Sequence, residues 1–149
     1  MKEGLIIPKP RNSHSFVQNG DKAYVYGGAN TEGPLNDCFE LDLKQYTFSN
    51  VKIADLNLAP YFEMGTSHLY QGNQLLLIGG RSHCLPTQIA DPEAQAKIMA
   101  SPFRDVIISL DLATGEINDN FAQLPTALAS HQSFLIDDKI LIIYGGTNG

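Results

Sequence analysis

The stretch KAYVYGG at residues 22–28 decides the fold, because two similar stretches follow it: QLLLIGG at 74–80 and KILIIYGG at 139–146. A short apolar run bounded by turn signals predicts a buried strand. The glycine pair that ends each run indicates a positive φ angle or a place where no side chain fits. We therefore predict three copies of one structural unit, whose second strands are covered on both faces, with Leu76 and Ile142 as core residues. Six glycines are predicted to be structural: Gly27, Gly28, Gly79, Gly80, Gly145 and Gly146.

A further strand precedes each of these stretches. The polar turns Asn19-Gly20-Asp21 and Gly72-Asn73 separate the first two of these strand pairs, and such turns favour hairpins. Counting back twelve residues from the first glycine of each pair (27 − 15, 79 − 67 and 145 − 133) gives an equivalent serine in each unit: Ser15, Ser67 and Ser133.

Two more strands follow the first and second glycine pairs. Residues 36–43 and 104–112 are apolar runs that end near an aspartate, and a turn and another short strand come after each. The sequence therefore predicts four strands in each complete unit, which we name a, b, c and d in chain order.

This arrangement resembles the kelch repeat, in which each unit is one blade of a β-propeller. Kelch repeats have a double glycine at the end of strand b, and a Tyr in strand c that lies seven positions before a Trp in strand d. Leu41 and Phe48 keep that spacing here (48 − 41 = 7), as do Leu110 and Ile117 (117 − 110 = 7), although the aromatic identities differ. The resemblance implies an all-β fold, namely a partial kelch-type β-propeller of four-stranded antiparallel blades.

The same resemblance divides the chain into one partial propeller. Residues 1–10 are expected to form a lone strand d of a preceding blade, residues 11–52 blade 1, and residues 53–125 blade 2. Residues 126–149 are expected to supply strands a and b of blade 3. Blade 2 has an insertion at 81–103, in which Asp91 as N-cap and Pro92 at the first position predict a short helix at 91–100.

Eleven predicted strands do not close a ring, since propellers typically have about four to eight blades. We therefore expect the chain either to be the opening part of a longer propeller or to dock with a second chain that supplies the remaining blades.

Composition narrows the class of protein. With 17% charged and 43% apolar residues, the chain is typical of a globular protein, and its net charge of −6 argues against a nucleic-acid partner. The sequence contains no apolar run of the roughly 18 residues that a membrane-spanning helix needs. The only cysteines, Cys38 and Cys84, do not suggest a disulfide framework, so we expect a cytoplasmic protein.

The sequence offers little catalytic chemistry. His14, His68 and His131 lie near the start of strand a in the three units, where we expect them to hydrogen-bond to a neighbouring blade. His83 and Cys84 are adjacent, but one histidine and one cysteine do not make a zinc site. We therefore predict no catalytic residue, no cofactor and no metal, and the sequence identifies no small-molecule substrate.

The kelch resemblance implies that the loops before strand a and after the glycine pair face the binding end of the molecule. The candidate partner-binding residues in these loops are Arg11, Asn12, Asn30, Arg81, His83, Ser130 and Asn148. Arg81 is the strongest candidate, because a guanidinium group offers a rigid fork of donors, although it could equally be a solvated loop cation.

We therefore expect a non-catalytic module for protein–protein interaction or scaffolding. The first alternative is a propeller enzyme, similar to a sialic-acid epimerase or an oxidoreductase, whose active-site residues lie partly outside this chain. The second is a structural subunit of a larger assembly.

Overall fold

The computed structural model describes residues 5–82, 91–93, 95–96 and 102–148, and these residues form an all-β protein. The first sheet is an antiparallel meander of four strands: β1 (Ser15–Asn19), β2 (Lys22–Tyr26), β5 (Cys38–Asp42) and β6 (Thr47–Asn50). Between β2 and β5 lies a small hairpin of β3 (Ala29–Asn30) and β4 (Gly33–Pro34). The sequence did not predict this small hairpin.

The second sheet repeats the same meander. Its four strands are β7 (Thr66–Tyr70), β8 (Gln74–Ile78), β9 (Val106–Asp111) and β10 (Ile117–Gln123). The last two strands, β11 (Ala129–Ile136) and β12 (Ile140–Thr147), pair only with each other among the described residues, and we call them the open hairpin. The three groups of strands fall inside the predicted ranges 11–52, 53–125 and 126–149.

Turn chemistry explains why strands c and d form hairpins. Asp42 ends β5, and its Oδ1 accepts hydrogen bonds from the backbone amides of Lys44 and Gln45 at 2.8 and 2.9 Å. Asp111 ends β9 and does the same for the amides two and three residues later, at 2.8 and 2.9 Å. These backbone donors lower the pKa of both carboxyl groups. Aspartate is favoured in turns because its side chain can hydrogen-bond to the backbone in this way.

The second sheet is covered on both faces. Successive residues of a strand point to opposite sides, so alternate residues of β8 enter two different cores. Leu75 and Leu77 pack into a core shared with Tyr26 and Cys38 of the first sheet. Leu76 and Ile78 belong to a second core, which also includes Leu124, Ile107 and, from the open hairpin, Leu135, Leu141 and Ile143. Each unit therefore buries one face against the unit that follows it in the chain.

The face of the open hairpin that points away from the second sheet has no such cover. Ile142, predicted to be a core residue, is 46% exposed, and Tyr144 is 79% exposed. The prediction for Ile142 is wrong, because no described sheet covers that face of the hairpin. Leu76, by contrast, is buried as predicted.

The three serines counted back from the glycine pairs are not equivalent in the sheets. Ser15 pairs with Tyr26, the residue directly before the first glycine, whereas Ser67 and Ser133 pair with Leu77 and Ile143, two residues before theirs. The turn between β1 and β2 has two residues, and the corresponding turns in the other units have three. Counting back twelve residues from the first glycine therefore gives a position in the first unit that is one residue out of register with those in the other two units.

Two expected segments lie at the margins of the described structure. Ile6 forms an isolated antiparallel bridge with Phe48 of β6, so this part of the N-terminal segment contacts the first sheet; its assignment to a preceding blade stays a prediction.

In the insertion, the Glu93 amide donates to Asp91 Oδ1 at 3.0 Å, and helical backbone is found at Pro92, Glu93, Gln95 and Ala96. The described residues contain no more than this single turn of the predicted helix, and the rest of 91–100 lies outside them.

No helix among the described residues is long and apolar enough to cross a membrane. Cys38 is buried in β5, and burial raises the pKa of its thiol to about 12. This thiol therefore stays protonated near neutral pH, and it fills space in the core as a small apolar group. Cys84 lies outside the described residues.

Candidate functional site

The glycine pairs shape the end of the molecule at which strand a begins and strand b ends, which we call the loop end. All six glycines have positive φ angles, between 58° and 93°. A Cβ atom on Gly27 would collide with the carbonyl oxygen of Phe62, and one on Gly79 would lie 2.6 Å from that of Leu128. The first glycine of each of these pairs therefore permits close approach of the next unit, as well as the left-handed backbone.

Backbone hydrogen bonds connect successive units at the loop end. The amide of Gly28 donates to Phe62 O at 2.8 Å, and that of Gly80 donates to Leu128 O at 2.7 Å. Since these bonds repeat from unit to unit, the loops are held by the scaffold.

The loops before strand a are also joined to one another. The Met64 amide donates to Ser13 O at 3.0 Å, and the Ser130 amide donates to Met64 O at 2.6 Å. Ser13, Met64 and Ser130 have φ angles of 54°, 59° and 55°, which identifies them as equivalent residues. Nothing in their side chains signals a positive φ angle, so the sequence did not reveal this connection.

Short backbone pairings bring the two kinds of predicted binding loop side by side. Asn12 pairs with Ala29, and Glu63 pairs with Arg81, in isolated antiparallel bridges. In the open hairpin Ala129 pairs with Thr147, next to the exposed residues Ser130 and Asn148. The loops before strand a and after the glycine pair therefore occupy the same end of each unit.

Three of the predicted site residues line one groove of about 620 Å³, which we call the loop-end groove. They are Arg11, Asn12 and Asn30. The remaining lining residues are Lys9, Pro10, Ala29, Thr31 and Glu32. Lys9 and Glu32 form an exposed salt bridge of 2.5 Å. Arg81, Ser130 and Asn148 are not among the lining residues, and His83 lies outside the described part of the chain.

Arg11 is held inside the groove wall. Its guanidinium group makes a bidentate ion pair with Asp37, in which Nη2 lies 3.1 Å from Oδ2, and Nη1 also donates to Gly27 O at 3.0 Å. The group lies over the Phe39 ring at 5.3 Å from its centroid, and the side chain is 5% exposed against 41% for Asp37. Arg11 therefore positions the loop, and the carboxylate of Asp37 is the more accessible member of the pair.

Arg81 is also paired. Its Nε and Nη2 donate to Glu63 Oε1 at 2.8 and 2.5 Å, and its side chain is 36% exposed against 7% for Glu63. The buried carboxylate of Glu63 fixes the orientation of the guanidinium group and compensates its charge. Arg81 therefore presents an oriented and partly exposed donor group.

Arg104 is a partly buried cation that sequence reasoning missed. Its Nη2 donates to Ser82 Oγ at 2.9 Å, and burial lowers the pKa of its guanidinium group. Its position at the first residue of the predicted strand run 104–112 gave no signal, because an arginine at the end of a strand is usually solvated.

The remaining candidates have different environments. The Asn30 side chain accepts a hydrogen bond from the Glu32 amide at 2.8 Å and so shapes the tip of the β3–β4 hairpin. Ser130, Asn148 and Asn12 are exposed at the loop end. These exposed side chains are available to a partner.

A second polar cluster lies between strands β7 and β11, away from the groove. Thr66 Oγ1 lies 3.1 Å from His131 Nε2 and 2.5 Å from Ser133 Oγ, which in turn lies 2.8 Å from His68 Nε2. Burial lowers the pKa of both histidines, so the neutral forms are favoured. The predicted hydrogen bonding of histidines to a neighbouring unit is confirmed for His68 and His131.

This cluster is structural in its geometry. Ser133 and His68 lie at the distance of a serine–histidine pair, but Ser133 is 8% exposed between the second sheet and the open hairpin. The cluster therefore has the geometry of a structural contact.

His14 was expected to be equivalent to His68 and His131, but it corresponds only to His131. A Cβ atom on Gly28 would lie 2.9 Å from the Cβ of His14, and one on Gly146 would lie 2.9 Å from the Cβ of His131. In the second sheet the matching contact, from Gly80, is with Gly65.

Metal-binding side chains do not gather in the described part of the chain. No group of three or more histidine, cysteine, aspartate or glutamate residues in it could hold a metal ion.

Comparison with known proteins gives weak but extended similarity. No family model matches the chain. Acyl-CoA-binding domain-containing proteins 5 and 4 of Arabidopsis thaliana are 28% and 30% identical over 147 and 149 residues, covering 93% of this chain. A probable serine/threonine-protein kinase of Dictyostelium discoideum is 30% identical over 78 residues, 52% of this chain. The chain spans 20% of the length of each plant protein and 6% of the kinase.

Proposed function

We propose that this chain is a non-catalytic module for protein–protein interaction or scaffolding, built as a partial kelch-type β-propeller. The observation that carries the proposal is the loop-end groove, where Arg11, Asn12 and Asn30 meet on loops fixed by backbone hydrogen bonds between units. A groove whose loops are held on a stacked scaffold suits recognition of an extended partner segment.

The kelch assignment is supported by features that recur in both complete sheets. Each is a four-stranded meander whose strand b is followed by two glycines of positive φ. Leu41 lies directly opposite Phe48, and Leu110 lies directly opposite Ile117, so the seven-residue spacing joins neighbours on strands c and d. Face-to-face packing of one sheet on the next is the arrangement that a propeller repeats around its axis.

The chemistry of the groove favours a protein segment as the partner. Its lining combines the amides of Asn12 and Asn30 with the salt bridge between Lys9 and Glu32. Amide groups offer both donors and acceptors, which match the peptide backbone. The net charge of −6 fits a protein partner better than a nucleic acid.

The relatives add independent support. Two proteins named for acyl-CoA binding and one named as a kinase share similar stretches with this chain, although these are different activities. A stretch that occurs in proteins of different activities is more simply explained as a binding or scaffold module than as the part that carries either activity. We also propose a cytoplasmic location, since the two cysteines give no disulfide framework.

A peptide-display selection against the folded protein tests the proposal. Peptides enriched on the wild type should lose binding to Thr31→Trp, because the added indole fills the groove beside Asn30. The matched control is Gln45→Trp, which places the same side chain on the turn between β5 and β6, at the opposite end of the first sheet. Enriched peptides that bind both variants as well as they bind the wild type would show that the groove is not the binding site.

A further inference from the structure

The polar cluster between the second sheet and the open hairpin is a continuous chain of four side chains. In order, its atoms are His131 Nε2, Thr66 Oγ1, Ser133 Oγ and His68 Nε2, with separations of 3.1, 2.5 and 2.8 Å. Thr66 and His68 belong to β7, whereas His131 and Ser133 belong to β11. Each of the three contacts therefore crosses the interface between the two strands.

The number of hydrogens decides whether this chain is complete. Every contact needs one hydrogen between its two heavy atoms. The hydroxyl groups of Thr66 and Ser133 supply one hydrogen each, so the third must come from one of the two Nε2 atoms. A neutral imidazole carries its hydrogen on only one nitrogen. All three contacts therefore form when one histidine carries its hydrogen on Nε2 and the other carries it on Nδ1.

Protonation changes this count. A histidinium ion carries hydrogens on both ring nitrogens. The chain accommodates one such ion, because the protonated histidine is then the one whose Nε2 donates. A second histidinium brings four hydrogens to three contacts, so that two hydrogens face each other in one of them. Protonation of both histidines therefore breaks the chain.

His68 is better placed than His131 to take the first proton. It is partly exposed and lines a pocket of about 400 Å³, to which the turn after β11 contributes Asp137 and Asp138. Strand β1 contributes residues 17–19 to the same pocket, and none of these is charged. The two carboxylates favour a cation at this position.

His131 has a different environment. Its side chain is 3% exposed, and its ring lies against Gly79, where a Cβ atom would meet Cε1 at 3.0 Å. Among the described residues, no charged side chain hydrogen-bonds or forms an ion pair with His131. Burial lowers the pKa of both histidines, so both are neutral near neutral pH. The second proton therefore reaches His131 only in acid.

The interface between the first and second sheets provides an internal comparison. By register relative to the glycine pairs, Ser15, Val17, Gly65 and Ser67 stand there in place of Thr66, His68, His131 and Ser133. The hydroxyl groups of Ser15 and Ser67 are buried and have no hydrogen-bond partner among the described residues. This interface therefore keeps both hydroxyl groups but has neither the histidines nor the chain.

We propose that Thr66, His68, His131 and Ser133 form a pH-sensitive clasp, which holds the open hairpin on the second sheet while at most one histidine is protonated and loosens it when both are. The backbone hydrogen bond from the Ser130 amide to Met64 O, at 2.6 Å, joins the same two units next to His131. Protection of the Ser130 amide from hydrogen exchange therefore reports whether the clasp is closed.

The first test is a measurement on the unmodified chain. Nitrogen-15 NMR of the histidine rings near neutral pH should show the hydrogen on Nε2 in one of His68 and His131, and on Nδ1 in the other. Lowering the pH should protonate His68 before His131. If both rings carried the hydrogen on the same nitrogen, the chain would be incomplete and the proposal would be overturned.

The second test follows hydrogen exchange from about pH 7 to about pH 4, corrected for the intrinsic effect of pH on exchange. Protection of the Ser130 amide should fall at least about tenfold as His131 is protonated, the ratio that the net loss of one hydrogen bond produces. The Met64 amide, which donates to Ser13 O at the histidine-free interface, is the matched control and should keep its protection. An equal fall at both amides would mean that acid loosens the units without the clasp.

Two variants separate double protonation from other effects of acid. Glutamine can donate and accept hydrogen bonds but takes up no proton in this range. His131→Gln and His68→Gln each leave one titrating histidine in the clasp, so in both variants the Ser130 amide should stay protected in acid. If either folded variant lost protection as the wild type does, the second proton would not be the cause and the proposal would be wrong.

Discussion

Strands β8 and β12 have similar apolar sequences and opposite environments. Both are apolar runs that end in two glycines, and both pair with a strand a on one side. Ile78, directly before the glycines of β8, is fully buried, whereas Tyr144, directly before those of β12, is 79% exposed. The difference arises because β8 has a strand c and a following unit, and no described residue provides either for β12.

This contrast shows that burial in a stacked repeat depends on the neighbouring unit. The apolar pattern of a strand permits burial on both faces but does not provide it. A mutation in β8 and the same mutation in β12 should therefore have different consequences, and each such pair tests the comparison.

The largest difference is expected for truncation of core side chains. Leu76→Ala should lower the free energy of unfolding by about 2–5 kcal/mol, because it leaves a cavity between the second sheet and the open hairpin. Ile142→Ala, at a position that is 46% exposed, should lower it by only about 1 kcal/mol. Urea titration of both variants measures the two effects, and equal shifts of the midpoint would mean that the hairpin face is covered in solution.

A smaller difference is expected for the glycines. Gly79 and Gly145 have φ angles of 58° and 71°, so alanine at either position should cost the left-handed penalty of about 1–2 kcal/mol. Gly79→Ala should cost more than that, since its Cβ would lie 2.6 Å from Leu128 O, whereas no atom lies within 4 Å of a Cβ on Gly145. The same urea titration tests this pair. If Gly145→Ala lowered the free energy of unfolding as much as Gly79→Ala does, the account would be contradicted.

The smallest effect is expected from pH. Burial lowers the pKa of His68 and His131 below the ordinary value of 6.5, so the unfolded chain binds protons there more readily than the folded chain does. The contribution of the two histidines to the free energy of unfolding should therefore be constant above about pH 6.5. It should fall as the pH drops through 6.5 and level off below the folded-state pKa. Thermal unfolding of the wild type and of the His68→Gln, His131→Gln double variant should show a flatter profile for the variant over this range. Identical profiles would show that these histidines are not shielded.

The repeated strand pairs and the all-β class were predictable because they depend on local patterns. The glycine pairs, the apolar runs and the turn aspartates at Asp42 and Asp111 all act over a few residues. The alignment of Ser15 with Ser67 and Ser133 failed because one extra turn residue, which no hydrophobic pattern reveals, shifts the register.

The candidate site was less predictable because its contacts are distant in sequence. The Arg11–Asp37 ion pair joins residues 26 apart, and Thr66 meets Ser133 across 67 residues. Arg11 appeared to be a free binding group in the sequence, and only the fold reveals that it is held by Asp37 and Gly27. Asn12 and Asn30 lie on loops joined by one short bridge and line the same groove.

Hydrogen exchange at Leu77 and Ile143 tests the central claim most directly. The two residues occupy equivalent positions, two before the first glycine, and both direct their amides away from strand a. The Leu77 amide faces β9 and should exchange only on global unfolding, whereas the Ile143 amide faces the open edge and should exchange at nearly the rate of an unstructured chain. Comparable protection of the two amides in the isolated chain would show that the edge of β12 is already paired in solution, and would contradict the account.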